Sequence, residues 1–335
     1  MSGRVFHGPL LTSHPEFALT HVWQRSKSDA KDHYPEIEVV RTMEELLAAE
    51  VDLVVVNTPE PTHYAFTKAA LEAGKHVVVE KAFTPTVAEA EELVALAREK
   101  GLLLSVFQNR RWDSDFLTVQ QVIGQEMLGR LVEYESHYDR YRNYIQAGTW
   151  KEVEAPGTGI LFNLGSHLID QALVLFGMPE QVFADIRTQR TGGIVPDNFE
   201  LILYYPELKA TLKAGYLVRE ATPKYKLLGT DGSFLKYGLD TQEDALKAGS
   251  LPGGPTWGTE PEAQWGILNT QVGELHVRGQ VESLAGNYLA YYDNIADVLL
   301  RSAPVAVPGE QGQQVIEVIE AAQRSAAEGK VVDMG

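Results

Sequence analysis

The sequence predicts an α/β protein with two parts: an amino-terminal doubly wound parallel sheet and a carboxyl-terminal α+β part with a largely antiparallel sheet. Up to about residue 107, short apolar runs alternate with amphipathic helical stretches, which is typical of βαβ units. Beyond about residue 125, strand patterns follow one another with short turns. A chain of 335 residues also exceeds what one core usually holds. We therefore expect two domains, over residues 1–124 and 125–335, with the final helix packing back on the first domain.

The amino-terminal part contains four predicted strands and three predicted helices. The strands are Phe17–Trp23, Val51–Val56, Val77–Val79 and Leu102–Phe107. The helices are Met43–Ala49, Thr62–Ala73 and Thr86–Lys100. The last helix is the best marked, because Thr86 and Glu89 can form a capping box at its start and Gly101 follows its end.

The carboxyl-terminal part is predicted to be mainly β-structure, with one strong helix before most of the strands. The strands are Leu131–Asp139, Gln181–Thr188, Phe199–Tyr205, Leu208–Tyr216, Tyr225–Leu228 and Phe234–Tyr237. The helices are Ile160–Phe176 and Gln313–Ala327. Segment 248–280 is rich in Gly, Pro and polar residues and is expected to be a long excursion.

Composition excludes several classes of function. The net charge of −17 and the lack of a basic run argue against a nucleic-acid partner. No apolar run reaches the roughly eighteen residues of a membrane span, and no signal-peptide pattern opens the chain, so we expect a cytoplasmic protein. The absence of cysteine excludes disulfides, thiolate metal sites and a cysteine nucleophile. The histidines show no metal-ligand spacing, so we expect no metal site.

The apolar run His76–Val79 ends abruptly at Glu80 and Lys81. Such a run predicts a buried strand of a parallel sheet, and ligands bind beyond the carboxyl ends of those strands. Lys81 is therefore the first candidate for chemistry, and the alternative is a solvated loop lysine.

A dinucleotide fold begins with a strand and a glycine-rich turn that cradles the pyrophosphate. Here the chain opens at Met1, and Gly3 would be the third glycine of that turn, with Arg4 in the helix that follows. We expect that roughly ten residues, a strand and the first part of the turn, precede Met1. The alternative interpretation of Gly3 is a flexible terminus.

Six segments carry a combination of more specific motifs. They are Val54–Pro59 with His63, Ala73–Lys81, Asn109–Thr118, Gly159–Gln171, Lys236–Gly238 with Gln242–Asp244, and Asn287–Tyr292. Together they resemble the Gfo/Idh/MocA family of nicotinamide-dependent sugar and cyclitol oxidoreductases, and most of all its scyllo-inositol dehydrogenase branch. The resemblance implies a Rossmann domain over residues 1–124 and a substrate-binding and oligomerisation domain over residues 125–335. It also implies NADP or NAD as cofactor, a polyol or sugar as substrate, and a homodimer or homotetramer formed through the antiparallel sheet.

The resemblance assigns catalytic roles to Lys81, Asn163 and His167. Alcohol oxidation needs a base for the hydroxyl proton, which suits His167, and a cation near the developing alkoxide, which suits Lys81. In a helix, Asn163 and His167 share a face, so the Asn163 amide can orient the imidazole by a hydrogen bond. The alternative for His167 is a satisfied histidine on a half-buried helix.

Two departures from the family pattern affect this site. Asn163 stands where the family often has Asp, and an amide cannot stabilise an imidazolium by charge. Ala82 replaces the family's Pro after the Glu-Lys pair, so Lys81 is expected to be held less rigidly. Asn163 and the opening at Met1 motivate a second hypothesis: a cofactor- or sugar-binding homologue with weak or no turnover.

The resemblance and the chemistry of the side chains also predict the residues that bind the ligands. For the cofactor they are Gly3, Arg4, Arg25, Ser26, Asn57, Thr58, Pro59, His63, Glu80, Lys81, Asn109, Trp150 and Lys151. For the substrate they are Arg110, Trp112, Tyr138, Arg140, Arg142, Asn163 and His167, each of which could equally serve packing or the surface.

The cofactor preference is predicted from the end of the second strand. Arg25 lies there, and no acid follows until Asp29, which slightly favours NADP over NAD. The alternative is a basic surface loop.

Overall fold

The structure is a computed structural model that describes residues 2–335. Its amino-terminal part contains five short parallel strands. They are β1 (His21–Trp23), β2 (Glu38–Val40), β3 (Leu53–Val56), β4 (His76–Val79) and β5 (Leu104–Val106). The parallel sheet is confirmed, and β2 is a strand that the sequence pattern does not predict.

The parallel strands fall into two sheets. Strand β1 pairs with β2, and the other three pair in the order β3-β4-β5. Within residues 2–335 no strand joins β1 to β3. The strand that we expect upstream of Met1 lies outside the described residues.

Helices separate these strands as the βαβ pattern predicts. They are α1 (Gly8–Ser13), which continues a π-helical turn over Gly3–His7, α2 (Met43–Ala48), α3 (His63–Glu72) and α4 (Val87–Lys100). The capping box of α4 is confirmed, because Thr86 accepts from the Glu89 amide while the Glu89 carboxylate accepts from the Thr86 amide. Gly101 ends the helix in the left-handed conformation that glycine adopts without strain.

One nine-stranded sheet forms the carboxyl-terminal part. Its strands are β6 (Leu131–His137), β7 (Gln181–Arg187), β8 (Asn198–Tyr204), β9 (Lys209–Gly215), β10 (Tyr225–Gly229), β11 (Gly232–Lys236), β12 (Gly266–Val272), β13 (Leu275–Val281) and β14 (Val332–Asp333). They lie in the order β13-β12-β11-β10-β6-β9-β8-β7-β14, and every pair except β6 with β9 is antiparallel. The largely antiparallel sheet is therefore confirmed.

The expectation of a long excursion over 248–280 is wrong for its second half. Strands β12 and β13 form a hairpin at the edge of the large sheet, with Gly273 at a positive φ in the turn. Nearly all of β13 is exposed, because this edge strand pairs on one side only. The signal in the sequence is two strand-like runs on either side of Gly273, which the Gly- and Pro-rich stretch before them obscures.

Five helices accompany this sheet. They are α5 (Ser114–Gly124), α6 (Ser166–Phe176), α7 (Gln242–Lys247), α8 (Leu289–Arg301) and α9 (Gly309–Glu328). The predicted helix Ile160–Phe176 is confirmed with one change, because Leu161–Gly165 is a π-helical turn before the α-helix begins.

Helix α9 packs against both parts of the chain. Its Glu320 carboxylate accepts from the Val87 amide at the start of α4, and its Ser325 hydroxyl accepts from the Ala184 amide in β7. Gly312 lets α9 approach closely, because a Cβ there would lie 2.5 Å from Val106 Cγ2 in β5. The domain boundary at residue 124 stays a prediction.

We expect Gly312→Ala to destabilise the protein by about 1–3 kcal/mol, because the added methyl group would clash with Val106 where α9 packs on β5. The matched control is Gly124→Ala in α5, where nothing lies within 4 Å of the new methyl group. The midpoint of urea unfolding should fall for the first variant only. Equal midpoints for the two variants would contradict the close approach of α9.

Candidate functional site

The carboxyl ends of the parallel strands meet the start of the first helix. Asn57 follows β3, and the side-chain amide of Asn57 lies so close to Gly3 that a Cβ there would be 2.6 Å from Nδ2. Ser2 donates a hydrogen bond to Glu80, the residue after β4. The amino terminus of the helix formed by residues 3–13 therefore lies at the ligand-binding edge of the sheet, which is where a dinucleotide fold places a pyrophosphate.

Glu80 is held by protein groups. His7 Nε2 lies 3.1 Å from Oε1, and the Lys81 amide donates to Oε2 at 3.1 Å. Because a carboxylate only accepts, Nε2 carries the proton, and His7 Nδ1 lies 2.7 Å from the Tyr292 hydroxyl. Burial opposes ionisation, but the hydrogen bonds and charge of His7 and the Ser2 hydroxyl lower the pKa of Glu80 to about 2. Glu80 is a fixed anion at the end of β4.

Lys81 reaches across to helix α6. Its ammonium donates a 2.7 Å hydrogen bond to the Asn163 carbonyl. Burial lowers the pKa of Lys81, while the carboxyl groups of Glu60 and Glu80 act in the opposite direction. The expectation of a loosely held Lys81 is wrong, because its ammonium is bound and the next residue, Ala82, is fully buried with its carbonyl 2.9 Å from His63 Nδ1. The peptide bond between Lys81 and Ala82 is cis.

His167 lies on α6 with 7% of its surface exposed. Burial and the positive charges of Lys81 and Arg110 lower its pKa well below 6.5, so the imidazole is neutral at neutral pH and can accept a proton. The hydrogen bond predicted from the Asn163 amide is absent, since His167 Nδ1 has no partner among residues 2–335. Asn163 belongs to the π-helical turn that precedes α6.

A cleft opens on the other side of Asn163. Its lining residues are Glu60, Trp150, Lys151, Gly157, Thr158, Gly159, Ile160, Asn163, Arg190, Val195, Pro196 and Tyr216. The structure thus brings Trp150, Lys151 and Asn163 together, as the sequence predicts. Sequence reasoning missed Glu60, although its position directly after the Asn57–Pro59 turn places it at the carboxyl end of a parallel strand.

Two predicted substrate residues, Arg110 and Arg140, lie beside the aromatic ring of a third, Tyr138. The guanidinium carbons of Arg110 and Arg140 lie 5.2 and 5.3 Å from the centre of the buried Tyr138 ring. Lys224, which the sequence analysis did not single out, adds its ammonium at 4.6 Å. Arg110 also donates to Asp113 Oδ2 at 3.2 Å. After burial and the charge of Lys81, the charges of Arg110, Lys224 and Arg140 also lower the pKa of His167.

Two other predicted substrate residues, Trp112 and Arg142, contact aromatic rings other than that of Tyr138. Trp112 packs edge-on against Tyr291, with ring centres 5.8 Å apart. The exposed Arg142 lies over the Tyr216 ring at 5.8 Å.

The turn after β3, Asn57–Pro59, is fixed by hydrogen bonds to Thr62 and His63. The Thr58 hydroxyl accepts from Thr62 at 2.7 Å, and both ring nitrogens of His63 lie 2.9 Å from carbonyl oxygens, those of Thr58 and Ala82. His63 therefore fastens this turn to the loop after β4. Pro59 completes the turn, and Asn109 is buried just beyond β5.

The loop after β1 leaves its basic side chains free for a ligand. Arg41 fastens the loop, donating to the Gln24 carbonyl at 2.9 Å and to the Ser28 hydroxyl at 2.6 Å. Arg25 and Ser26 project from this loop, and both are exposed, as is Arg4 in the first helical turn. Asp29 is engaged by Gln24. The donors at this edge fit a dinucleotide phosphate: a helix amino terminus, amides and a guanidinium.

Within residues 2–335, none of the helices has the length and apolar character that a bilayer crossing requires. The same residues contain no group of three or more His, Asp or Glu side chains able to hold a metal ion.

A parallel sheet with a helix start, a lysine and a neutral histidine at its carboxyl edge defines the class of dinucleotide-binding oxidoreductases. Comparison with protein families agrees. Residues 1–108 match the oxidoreductase family's NAD-binding Rossmann fold, and residues 120–334 match its C-terminal alpha/beta domain. The chain belongs to the Gfo/Idh/MocA family of oxidoreductases.

Three relatives place the chain within this family. It is 43% identical to scyllo-inositol 2-dehydrogenase (NADP(+)) IolW of Bacillus subtilis, over 99% of this chain and 93% of the relative. A solved putative oxidoreductase from Bacteroides fragilis is 49% identical with a TM-score of 0.91, covering 99% of this chain and 96% of that one. The structure of putative oxidoreductase yvaA from Bacillus subtilis gives 43% identity and a TM-score of 0.96, with coverage of 99% and 95%.

We expect Asn163→Asp to raise the pKa of His167, because a carboxylate stabilises the imidazolium that burial and the nearby cations now disfavour. The measurement is an NMR titration of the His167 ring protons, assigned with a His167→Gln variant. Asn163→Ala is the control and should leave the low pKa in place. An unchanged titration in Asn163→Asp would mean that the side chain at 163 does not act on the imidazole.

Proposed function

We propose that the protein is an NAD(P)-dependent dehydrogenase that interconverts a ring hydroxyl and a ketone of a cyclitol or sugar, with scyllo-inositol as the model substrate. The observation that carries this proposal is the pairing of Lys81 with the start of α6. The ammonium is fixed on the Asn163 carbonyl one turn before a neutral histidine whose Nδ1 has no partner among residues 2–335. The similarity to an NADP(+)-dependent scyllo-inositol 2-dehydrogenase supports the same substrate class.

In the proposed oxidation, His167 takes the hydroxyl proton of the substrate as general base. Lys81 donates to the same oxygen and stabilises its developing negative charge. A bound oxidised nicotinamide would supply the acceptor for the hydride that leaves the carbon. In the reverse direction the imidazolium returns the proton to the carbonyl oxygen.

The cluster of cations around Tyr138 suits a substrate rich in hydroxyl groups. Arg110, Arg140 and Lys224 offer donors, and an aromatic ring offers a flat apolar face. We assign substrate binding to these residues together with Asn163 and His167. A cytoplasmic location and a homodimer or homotetramer through the antiparallel sheet stay predictions.

The second hypothesis, a binding homologue with weak turnover, also has one observation in its favour. Across the described residues 2–335, no carboxylate bonds His167 Nδ1, so its imidazolium would form among cations without compensation. Saturating NADP and NAD with a panel of inositols and sugars, followed at the nicotinamide absorbance, separates the two hypotheses. Binding without turnover would favour the second.

The charges around the two proposed catalytic groups set the expected pH profile. We expect kcat/KM for oxidation to stay level down to pH 6.5, because the pKa of His167 lies well below that value and the base is lost only beneath it. On the alkaline side the rate should fall before pH 10.5, because burial lowers the pKa of Lys81 and the ammonium is lost as pH rises through it. Lys81→Arg should move that alkaline limb upward, since a guanidinium stays charged. An acid limb centred above pH 6.5 would contradict the assignment of His167.

We propose NADP as the preferred cofactor, with Arg25 and Ser26 beside its 2′-phosphate. Arg25→Gln should raise KM for NADP by about tenfold and leave KM for NAD nearly unchanged, because only NADP carries the added charge. Lys31→Gln, on the exposed turn Asp29–Asp32, is the control. Equal increases in KM for both cofactors would show that Arg25 does not contact the 2′-phosphate of NADP.

A further inference from the structure

Glu60 is a buried acid for which the proposed reaction has no role so far. It lies in the short helical turn Glu60–Thr62, between Pro59 and Pro61, directly after the Asn57–Pro59 turn. Thr62 fastens that turn with hydrogen bonds of 2.7 Å to the Thr58 hydroxyl and 2.6 Å to the Pro59 carbonyl. The backbone beneath the carboxyl group is therefore held in one position.

The carboxyl group itself is not satisfied by the protein. Glu60 is 5% exposed, and its Oε1 has no hydrogen-bond partner among residues 2–335. Gly157 lies over it, and a Cβ at that position would be 3.2 Å from Oε1. Burying a polar atom without a hydrogen-bond partner is destabilising, so such an atom in a ligand cleft points to a partner on the ligand.

The surroundings of Glu60 define what that partner can be. Burial raises the pKa of the carboxyl group, and the nearby cations Lys81 and Lys151 act in the opposite direction. In either protonation state a carboxyl group can accept a hydrogen bond from a hydroxyl group. A hydroxyl is also the group that a polyol offers at every ring carbon.

The cleft places Glu60 close to the reacting centre. Glu60 and Asn163 line the same space, and the Asn163 carbonyl holds the Lys81 ammonium at 2.7 Å. A ring bound with one oxygen at Lys81 and His167 can therefore extend a second hydroxyl into the cleft.

We infer that Glu60 binds the substrate, accepting a hydrogen bond from a ring hydroxyl next to the one that reacts. This inference rests on the proposed function. Glu60 then selects polyols that carry a hydroxyl at that ring position.

Removal of the acid should weaken substrate binding. We expect Glu60→Met, which has a similar length but no oxygen acceptor, to raise KM for scyllo-inositol by about tenfold or more, with kcat changed less than about threefold and KM for NADP unchanged. Glu60→Asp, which keeps the acid but shortens its reach, should give a smaller increase and serves if the first variant folds poorly. Glu91→Met, at an exposed acid on α4, is the matched control and should behave like the unmodified protein. An unchanged KM for scyllo-inositol, or a change that falls on NADP instead, would overturn the inference.

A double variant tests whether the substrate needs a hydrogen-bond acceptor at position 60 or only a negative charge somewhere in the cleft. Glu60→Met combined with Asn163→Asp restores a carboxylate to the cleft at a different place. The raised KM should persist, because the ring hydroxyl still lacks its acceptor at position 60. Recovery of the original KM would show that the cleft needs only a negative charge and would overturn the direct contact.

Calorimetric titration of scyllo-inositol into the protein saturated with NADP keeps this test independent of turnover. Weaker binding by Glu60→Met would support the contact even if neither protein turns over, in which case the proposed reaction alone fails. Equal binding by the two proteins would overturn the contact while the proposed reaction stands. No binding by the unmodified protein would overturn both.

Discussion

The site depends on one hydrogen bond, from the Lys81 ammonium to the Asn163 carbonyl. It joins the end of a parallel strand to the turn that begins α6, so the two parts of the chain meet where the proposed chemistry occurs. Glu80 secures the same strand end from the other side, through Ser2 and through His7, which in turn contacts Tyr292 on α8. Glu80 and Lys81 thus connect the end of β4 with the first helix, with the turn before α6 and, through His7, with α8.

The second constraint is electrostatic. Burial and repulsion by cations from several elements lower the pKa of His167 and keep the imidazole neutral, as a general base requires. The same repulsion disfavours the imidazolium that would form during oxidation, and position 163 offers an amide rather than a carboxylate. Turnover in the proposed reaction depends on this balance.

Much of the fold follows from local patterns in the sequence. The run His76–Val79 forms the buried strand that its β-branched residues predict, and Thr86 with Glu89 forms the predicted capping box, because both signals depend on neighbours in the chain. The association of Lys81 with α6 came from family resemblance, since no periodicity relates residues so far apart. The geometry of this contact could be seen only in the structure, because no sequence pattern predicts the π-helical turn over Leu161–Gly165. Glu60 was missed for a similar reason, as its burial depends on Gly157 folding over it.

The most direct test of the Lys81–His167 site is transfer of a label. scyllo-Inositol carrying deuterium on its ring carbons is incubated with NADP, and the deuterium content of the reduced cofactor is measured by mass spectrometry. We expect one deuterium per reduced cofactor with the unmodified protein, and loss of transfer in Lys81→Met and His167→Asn variants that still bind NADP. Transfer that persists in both variants at the unmodified rate would contradict the account, because the proton and charge chemistry would then lie elsewhere.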